Sequence, residues 1–151
     1  MKIAVISDTH GLLRPEVIRV VQDCGVVLHA GDILRESDLD ELALYARVYA
    51  VRGNCDFAPW AAERLRDVLR FELGGVRFLM VHDRRNAPRD LEGVQAVICG
   101  HTHHYEETRA DGRLWLNPGT CGMPRFGNEV TLAVLTVENG KLTPRRVDLP
   151  L

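Results

Sequence analysis

Short apolar runs alternate with amphipathic stretches along the first third of the chain. The apolar, β-branched runs, which predict strands buried on both faces, are residues 2–7, 26–30 and 47–51. The amphipathic segments 15–23 and 36–46 predict helices, with Pro15 in the first turn of one, Gly25 after its end, and Ser37 as a cap of the other. This β-α-β-α-β order implies parallel strands whose carboxyl ends share one edge of a sheet.

A different pattern fills the rest of the chain, where strand-like segments are joined by two-residue turns. The turns are Gly74-Gly75, Asp111-Gly112 and Asn139-Gly140. They predict hairpins of residues 68–73 with 76–81, 105–110 with 113–116, and 130–137 with 141–147, and a further strand covers 96–99. A parallel half followed by hairpins predicts an α/β fold with two mixed β-sheets packed face to face and helices outside. We expect a single domain over residues 1–151.

Composition and charge exclude several classes of protein. The chain has 151 residues, of which 46% are hydrophobic and 26% are charged, as in ordinary globular proteins. A formal net charge of −2 argues against broad binding to nucleic acid or to an anionic membrane surface. The first strand follows Met1 directly, and no apolar run approaches the ~20 residues that span a bilayer. We therefore expect a cytoplasmic protein with no membrane partner.

Five short groups of His, Asp and Asn follow predicted strands. They are Asp8-Thr9-His10, Gly31-Asp32, Gly53-Asn54, His82 and Gly100-His101-Thr102-His103. One such group alone is typical of a turn or a cap. Strands bring distant segments side by side, however, so the whole set predicts a convergence of donors for about two metal ions. Asp32 has two carboxylate oxygens and can bridge the ions.

The donor types indicate which ions would bind. Carboxylate, imidazole and amide groups together suit divalent ions of intermediate softness, and we favour manganese over nickel, iron or zinc. The cysteines argue against a structural zinc site, because they are widely scattered and no two of them form a Cys-x-x-Cys pair. A disulfide framework is not expected in the reducing cytosol. They are Cys24, Cys55, Cys99 and Cys121.

Two longer segments, Gly53-Asn54-Cys55-Asp56 and Asn117-Pro118-Gly119-Thr120, accompany the donor groups. Together these motifs resemble the calcineurin-like metallophosphoesterases, from Asp8 to Arg125, and above all the small bacterial and archaeal phosphodiesterases of that family. The resemblance implies a four-layer αββα sandwich with a binuclear metal site at the strand ends. It implies a first ion bound by Asp8, His10, Asp32 and His103, and a second bound by Asp32, Asn54, His82 and His101.

Such a site implies hydrolysis of a small phosphoester. Two ions that share a water lower its pKa, and the resulting hydroxide attacks phosphorus in line with the leaving oxygen. The residues expected to take part in catalysis through the ions are Asp8, Asp32, Asn54 and His82. A phosphodiesterase is the leading interpretation. A phosphomonoesterase or pyrophosphatase with the same metals is an alternative, and so is a non-catalytic protein-interaction scaffold, a role that this fold has in membrane-trafficking complexes. Self-association into a homo-oligomer is left open.

The chain departs from the family at position 55. Many larger members carry a histidine after the Gly-Asn pair, where it is thought to protonate the leaving group, and this chain has Cys55. A thiol with a pKa of ~8.5 is a poor general acid at neutral pH. We therefore expect a preference for good leaving groups, with Cys55, His104 or a metal-bound water as the alternative acids.

A second departure follows His82, where Asp83 replaces the usual glycine and Arg84-Arg85 come next. The two arginines would attract a phosphate, or the loop would pair its own charges, and the second interpretation is favoured. Two further residues are expected to support the site without binding metal. His29 would pack beneath it, and Asn117 would hydrogen-bond the backbone of a donor loop.

Overall fold

The computed structural model describes residues 1–125 and 127–151, and the predicted strands and helices occur in it in the predicted order, with a short helix and a 3-10 turn in addition. The first part contains β1 (Lys2–Ile6), α1 (Pro15–Cys24), β2 (Val26–His29), α2 (Glu36–Tyr45) and β3 (Arg47–Ala50). It is followed by α3 (Pro59–Arg64), β4 (Val68–Leu73), β5 (Val76–Val81), a 3-10 turn (Arg84–Asn86) and β6 (Ala96–Ile98). The last strands are β7 (Tyr105–Ala110), β8 (Arg113–Pro118), β9 (Thr131–Glu138) and β10 (Lys141–Asp148).

The strands form two mixed sheets. In the first sheet, ordered β10-β9-β1-β2-β3, β2 is parallel to both β1 and β3, as the β-α-β-α-β pattern predicts. In the second sheet, ordered β4-β5-β6-β8-β7, β6 is parallel to both β5 and β8. Two predicted hairpins, β4-β5 and β7-β8, form the antiparallel outer pairs of this second sheet. The prediction of two mixed sheets is confirmed.

The largest apolar cluster lies between the two sheets. Val5 and Leu28 of the first sheet meet Phe78 and Ile98 of the second, and none of the four is more than 1% exposed. Burying a side chain of this size contributes roughly 1.5–3 kcal/mol relative to leaving it in water. This inner layer therefore fixes the two sheets, and the loops at their ends, relative to one another.

Helices and loops cover the outer faces of the sheets. Val17 and Val21 of α1 pack on the first sheet. On the second sheet, Leu79 and Val97 lie under the segment 87–94, which follows the 3-10 turn. The αββα sandwich implied by the resemblance is confirmed, with a thin fourth layer. None of the helices in the described ranges has the length and apolar character that a bilayer crossing requires.

Two local features differ from the expectations. Ser37 does not cap α2, because the backbone is extended at Arg35 and the helix already begins at Glu36, so that Ser37 lies in its first turn. Helix α3, six residues from Pro59 to Arg64, was not predicted, since so short a segment shows no helical periodicity. The end of α1 is as predicted: Gly25 adopts φ 79° and donates its N–H to the carbonyl of Val21.

Candidate metal centre

The loops that follow the strands hold their donor residues in an unusual backbone conformation. The donor residues with φ in the left-handed region, between 48° and 75°, are Asp8, His10, Asp32, His101 and His103. For residues other than glycine this conformation costs on the order of 1–2 kcal/mol. Backbone strain of this kind concentrates at functional sites, and here it turns the chain sharply at the strand ends.

Two glycines allow these loops to come together. A Cβ on Gly53 would collide with the backbone nitrogen and a carboxylate oxygen of Asp32. A Cβ on Gly100 would collide with the hydroxyl of Ser7 and lie 2.7 Å from Oδ2 of Asp8. Any larger residue at either position would push the donor loops apart, so the close approach of the backbone depends on glycine.

One set of donor atoms meets at the ends of β1 and β6. Oδ1 of Asp8 lies 3.3 Å from Nε2 of His103 and 3.7 Å from Nε2 of His10. The same nitrogen of His10 is 3.5 Å from Oδ2 of Asp32. Asp8, His10 and His103 therefore have the proximity that a shared cation requires, and we call them, together with Asp32, the first donor set.

The second donor set consists of Asp32, Asn54, His82 and His101. Nε2 of His82 lies 3.3 Å from Oδ2 of Asp32 and 3.3 Å from Nδ1 of His101. Nδ1 of His101 is also 3.1 Å from Oδ1 of Asn54. The structure thus brings together all seven side chains that the sequence indicates as metal ligands.

The two sets meet at a single oxygen of Asp32. Its Oδ1 accepts a hydrogen bond of 2.8 Å from the backbone N–H of Cys55. Its Oδ2 faces Nε2 of His10 on one side and Nε2 of His82 on the other. Oδ2 is therefore the oxygen of Asp32 that lies between the two donor sets, whereas Oδ1 is held by the backbone of Cys55.

The two carboxylate oxygens of Asp8 also have different surroundings. Its Oδ2 accepts hydrogen bonds from the hydroxyl of Ser7 at 2.7 Å and from the N–H of His101 at 3.0 Å. Its Oδ1 is buried and makes no hydrogen bond to any described residue, and the same is true of Nε2 of His10. Buried polar atoms of this kind are costly unless a partner such as a cation satisfies them.

The tautomers of two histidines follow from their backbone contacts. Nδ1 of His82 donates to the carbonyl of Ala30 at 2.7 Å, so Nε2 of the neutral ring presents its lone pair to the donor sets. His29 is oriented the other way, because its Nδ1 accepts from the N–H of Gly31 at 3.1 Å and its Nε2 lies 2.9 Å from the hydroxyl of Thr9. Burial lowers the pKa of His29 to about 4. His29 is a packed supporting residue, as predicted.

The carboxylates of the centre remain ionised. Burial by itself raises the pKa of Asp8, but the neighbouring rings of His10 and His103 more than offset it, and the pKa lies well below its usual range. Burial also opposes ionisation of Asp32, whereas His82 favours it and the net effect lowers the pKa. Two carboxylates therefore face the centre at neutral pH, which favours the binding of cations.

Asp56 organises the centre, and the sequence did not indicate this role. It is 5% exposed and accepts four backbone hydrogen bonds of 2.8–3.0 Å. The donors are the N–H groups of Asp32, Ile33, Leu34 and Gly53. The carboxylate thus joins the loops that carry Asp32 and Asn54. The position of Asp56 in the Gly-Asn-Cys-Asp segment was a signal that the sequence offered for this role. Its partners in the loop of Asp32 are distant in the chain, so the hydrogen bonds become apparent only in the folded structure.

Asn117 and the loop of Asp83 make contacts of the kind that the sequence favoured. The amide of Asn117 donates to the carbonyl of Gly100 at 2.9 Å, as predicted for a residue that supports a donor loop. Asp83 pairs with Arg85 at 2.7 Å within the loop, whereas Arg84 faces Glu106 of β7 at 3.8 Å. Oδ2 of Asp83 also lies 3.7 Å from Nε2 of His101, the ring nitrogen turned away from the donors.

The two candidate acids lie in different surroundings. Cys55 lines a cavity beside the donors, and burial together with the negative charge of Asp32 raises the pKa of its thiol. The thiol is therefore protonated at neutral pH and gives up its proton reluctantly. His104 is exposed and lies outside the walls of that cavity as the described residues define them.

A cavity of about 560 Å³ opens beside both donor sets, within the ~300–1,000 Å³ range of small-molecule sites. Its walls include donor residues His10, Asp32, Asn54, His101 and His103, and also Arg84, Cys99, Glu106, Trp115 and Arg125. A second cavity, of about 600 Å³, shares Asn54 and His101 with the first. The donors are therefore accessible to a small substrate from two directions.

Comparisons with known proteins agree with this geometry. A probable metallophosphoesterase of Methanothermobacter thermautotrophicus is 33% identical over 94% of this chain and 89% of its own. Among solved structures, a novel archaeal phosphodiesterase has a TM-score of 0.77 at 24% identity and covers 99% of this chain and 100% of that one. Zinc-bound Vps29 from Entamoeba histolytica has a TM-score of 0.72 at 22% identity, with coverage of 98% and 99%. At these identities the two structures support the fold alone.

The sequence also matches a family model over most of its length. The model describes the calcineurin-like phosphoesterase superfamily domain and matches residues 1–140. Together with the curated relative at 33% identity, this match shows that the chain belongs to the calcineurin-like phosphoesterase superfamily.

Proposed function

We propose that this protein is a phosphodiesterase that uses two divalent metal ions to hydrolyse small phosphoesters. The observation that carries the proposal is the meeting of two donor sets at one oxygen of Asp32, with neighbouring donor atoms 3.1–3.8 Å apart. A relative at 33% identity is named a probable metallophosphoesterase, and a solved structure of the same fold is that of an archaeal phosphodiesterase. Both support the proposal.

The residues fit metal ions in chemistry and in burial. Oδ1 of Asp8 and Nε2 of His10 are buried without hydrogen bonds to described residues, and both point to the first donor set. Mixed oxygen and nitrogen donors suit divalent ions of intermediate softness, namely manganese, nickel, iron and zinc, and of these we propose manganese first. The proposed ligands are Asp8, His10, Asp32 and His103 for one ion and Asp32, Asn54, His82 and His101 for the other.

The protein's own groups would position the reactants. When bound, the ions would neutralise charge on the phosphoryl oxygens and supply a water of lowered pKa for in-line attack. Asp56 holds Asp32 and the loop of Asn54 in register through backbone hydrogen bonds. The hydrogen bond from His82 to Ala30 keeps Nε2 directed at the centre. No imidazole stands at position 55 to protonate the leaving group, so we propose that good leaving groups react fastest.

A phosphomonoesterase, a pyrophosphatase and a protein-interaction scaffold remain the competing interpretations. The scaffold interpretation has a specific parallel in the fold shared with Vps29. Against it, every donor position in this chain carries a residue able to bind a metal. A single domain over residues 1–151, a cytoplasmic location and self-association stay predictions.

Activity assays on metal-depleted and reloaded protein test the proposal. The protein is loaded in turn with manganese, nickel, iron or zinc and given bis(p-nitrophenyl) phosphate, p-nitrophenyl phosphate and pyrophosphate. We expect the diester to have the largest kcat/KM, and manganese to give the highest rate. Faster turnover of the monoester or of pyrophosphate would favour those alternatives. Absence of hydrolysis with every metal would contradict the enzyme proposal.

A further inference from the structure

One arm of the 560 Å³ cavity runs from the donors along the outer face of the second sheet. Trp115 and Asn117 are two residues apart on β8, so their side chains share a face. Glu106 of β7 is paired with Asn117 and lies on the same face. Val97 of β6 is paired with Trp115, and Cys99, which comes two residues after Val97, lies on that face as well. This part of the cavity is lined by Arg84, Cys99, Glu106 and Trp115, and we call it the Trp115 arm.

The Trp115 arm lies within reach of a phosphate at the donors. Asn117 donates to the carbonyl of Gly100 and to the hydroxyl of Thr102, within the loop that carries His101 and His103. Since a strand rises about 3.3 Å per residue, Trp115 lies roughly 7 Å along β8 from Asn117, which holds the loop of His101 and His103. A ring joined to a phosphate by a short linker spans a distance of this size.

A flat group already lies on the Trp115 ring. The guanidinium carbon of Arg84 is 4.4 Å from the ring centroid. Arg84 also faces Glu106 at 3.8 Å, but the two side chains are 49% and 58% exposed. An exposed ion pair of this length contributes little to holding a side chain in place. A planar ligand ring can therefore take over the indole face, with Arg84 moving aside.

We infer that the Trp115 arm binds the planar aromatic ring of a phosphoester whose phosphate lies at the two donor sets. The inference rests on the proposed function and extends it to a substrate class, esters that carry a nucleobase or another aryl ring. Stacking on an aromatic side chain is tolerant of ring chemistry, because every such ring offers a π-face. For an ester whose oxygen is attached directly to an aryl ring, ring recognition also fits the preference for good leaving groups, since aryl oxygens leave readily. In a nucleotide the leaving oxygen belongs to the ribose, so there the ring would contribute to binding alone.

Binding of non-hydrolysable phosphonates to the manganese-loaded protein tests this inference by calorimetry. One pair of ligands is the phosphonate of AMP, with CH₂ in place of the ester oxygen, and the matching phosphonate of ribose. The other pair is benzylphosphonate and methylphosphonate. We expect the ring to improve affinity about tenfold or more in at least one pair, in the range of base–aromatic stacking. The pair that responds identifies the ring as a nucleobase or a simple aryl group.

Variants then assign the gain to the indole. Trp115→Leu is expected to abolish the gain from the ring and to leave the affinity of the ringless ligands unchanged, whereas Trp115→Phe keeps most of the gain. Trp60→Phe is the control, because Trp60 lies in α3 and packs against a different cluster. No gain in either pair, or a gain that survives in Trp115→Leu, contradicts the inference. Hydrolysis of bis(p-nitrophenyl) phosphate is measured in parallel, so a protein that discriminates rings but hydrolyses nothing contradicts only the proposed function.

Discussion

The first and second donor sets differ in their access to water. The side chains of Asp8, His10 and His103 are 0%, 6% and 5% exposed. In the second set, the side chain of His101 is 32% exposed and Asn54 is an exposed residue. Both sets reach the larger cavity and His82 is as buried as His10, but the more exposed side chains belong to the second set. We therefore call the first set the closed half of the centre and the second set the open half.

The difference follows from how each set is held. In the closed half, a hydrogen bond from Thr120 to the backbone of Asp8 joins the β1 loop to the segment after β8. In the open half, Asn54 and His101 lie on loops that reach beyond the strands and form walls of both cavities. We therefore expect the closed half to keep its ion and the open half to exchange ions and receive substrate.

The largest effect is expected from removing the oxygen that joins the two halves. Asp32→Ala should lose both ions and lower kcat/KM at least a thousandfold, because the first donor set would keep only Asp8 as an anionic ligand and the second set would keep none. Elemental analysis of the purified variant, beside the phosphodiesterase assay, measures both effects. Asp40→Ala is the control, since Asp40 is an exposed carboxylate that pairs with Arg64 and lies outside the walls of both cavities as the described residues define them. Two ions retained in Asp32→Ala would refute the bridging role.

A second large effect is expected at Asp56, which joins the loops of the two halves. Asp56→Ala leaves four backbone N–H groups without their acceptor, and we expect the free energy of unfolding to fall by about 2–4 kcal/mol. Urea unfolding of metal-depleted protein measures this loss separately from metal binding. Asp38→Ala is a matched control, because Asp38 is equally buried at 5%. Burial raises the pKa of Asp38, and its Oδ2 has no hydrogen bond within the described part of the chain. Equal losses in both variants would contradict the special role of Asp56.

A smaller and more selective effect should separate the two halves directly. His101→Ala removes a ligand of the open half, so we expect one ion to remain bound and the affinity of the other to fall by more than the roughly 10–100-fold that is typical for loss of a residue that only supports a ligand. His103→Ala should weaken the ion of the closed half instead. Titration of metal-depleted variants with manganese, followed by calorimetry, gives the number of ions and their affinities. Identical binding curves for the two variants would mean that the halves are not independent sites.

The donor residues of both halves could be predicted from sequence, whereas Asp56 and the walls of the cavity could not. Asp-x-His and His-x-His groups that follow apolar strands are recognisable in the sequence as metal donors. They can be expected to lie close together, because the ends of the strands meet at one edge. The role of Asp56 was missed, since its four backbone partners are separated from it by 3 to 24 positions in the chain. The Trp115 arm was missed for a similar reason: an apolar residue on β8 gives no sign of facing a cavity. Sequence patterns report donors, whereas supports and walls depend on packing across the fold.

The smallest effect concerns the acid at the edge of the open half. Cys55→His puts an imidazole where burial and Asp32 now raise the pKa of a thiol. Positioned general acids typically contribute about 10²–10⁴-fold, but an introduced ring is not optimally oriented, so we expect about a tenfold gain in kcat for alkyl esters. Aryl esters should change little, because their leaving groups need no protonation.

Cys55→Ser is the control for loss of the thiol alone. A plot of log kcat against leaving-group pKa should become shallower in Cys55→His, and an unchanged slope would mean that another group supplies the proton.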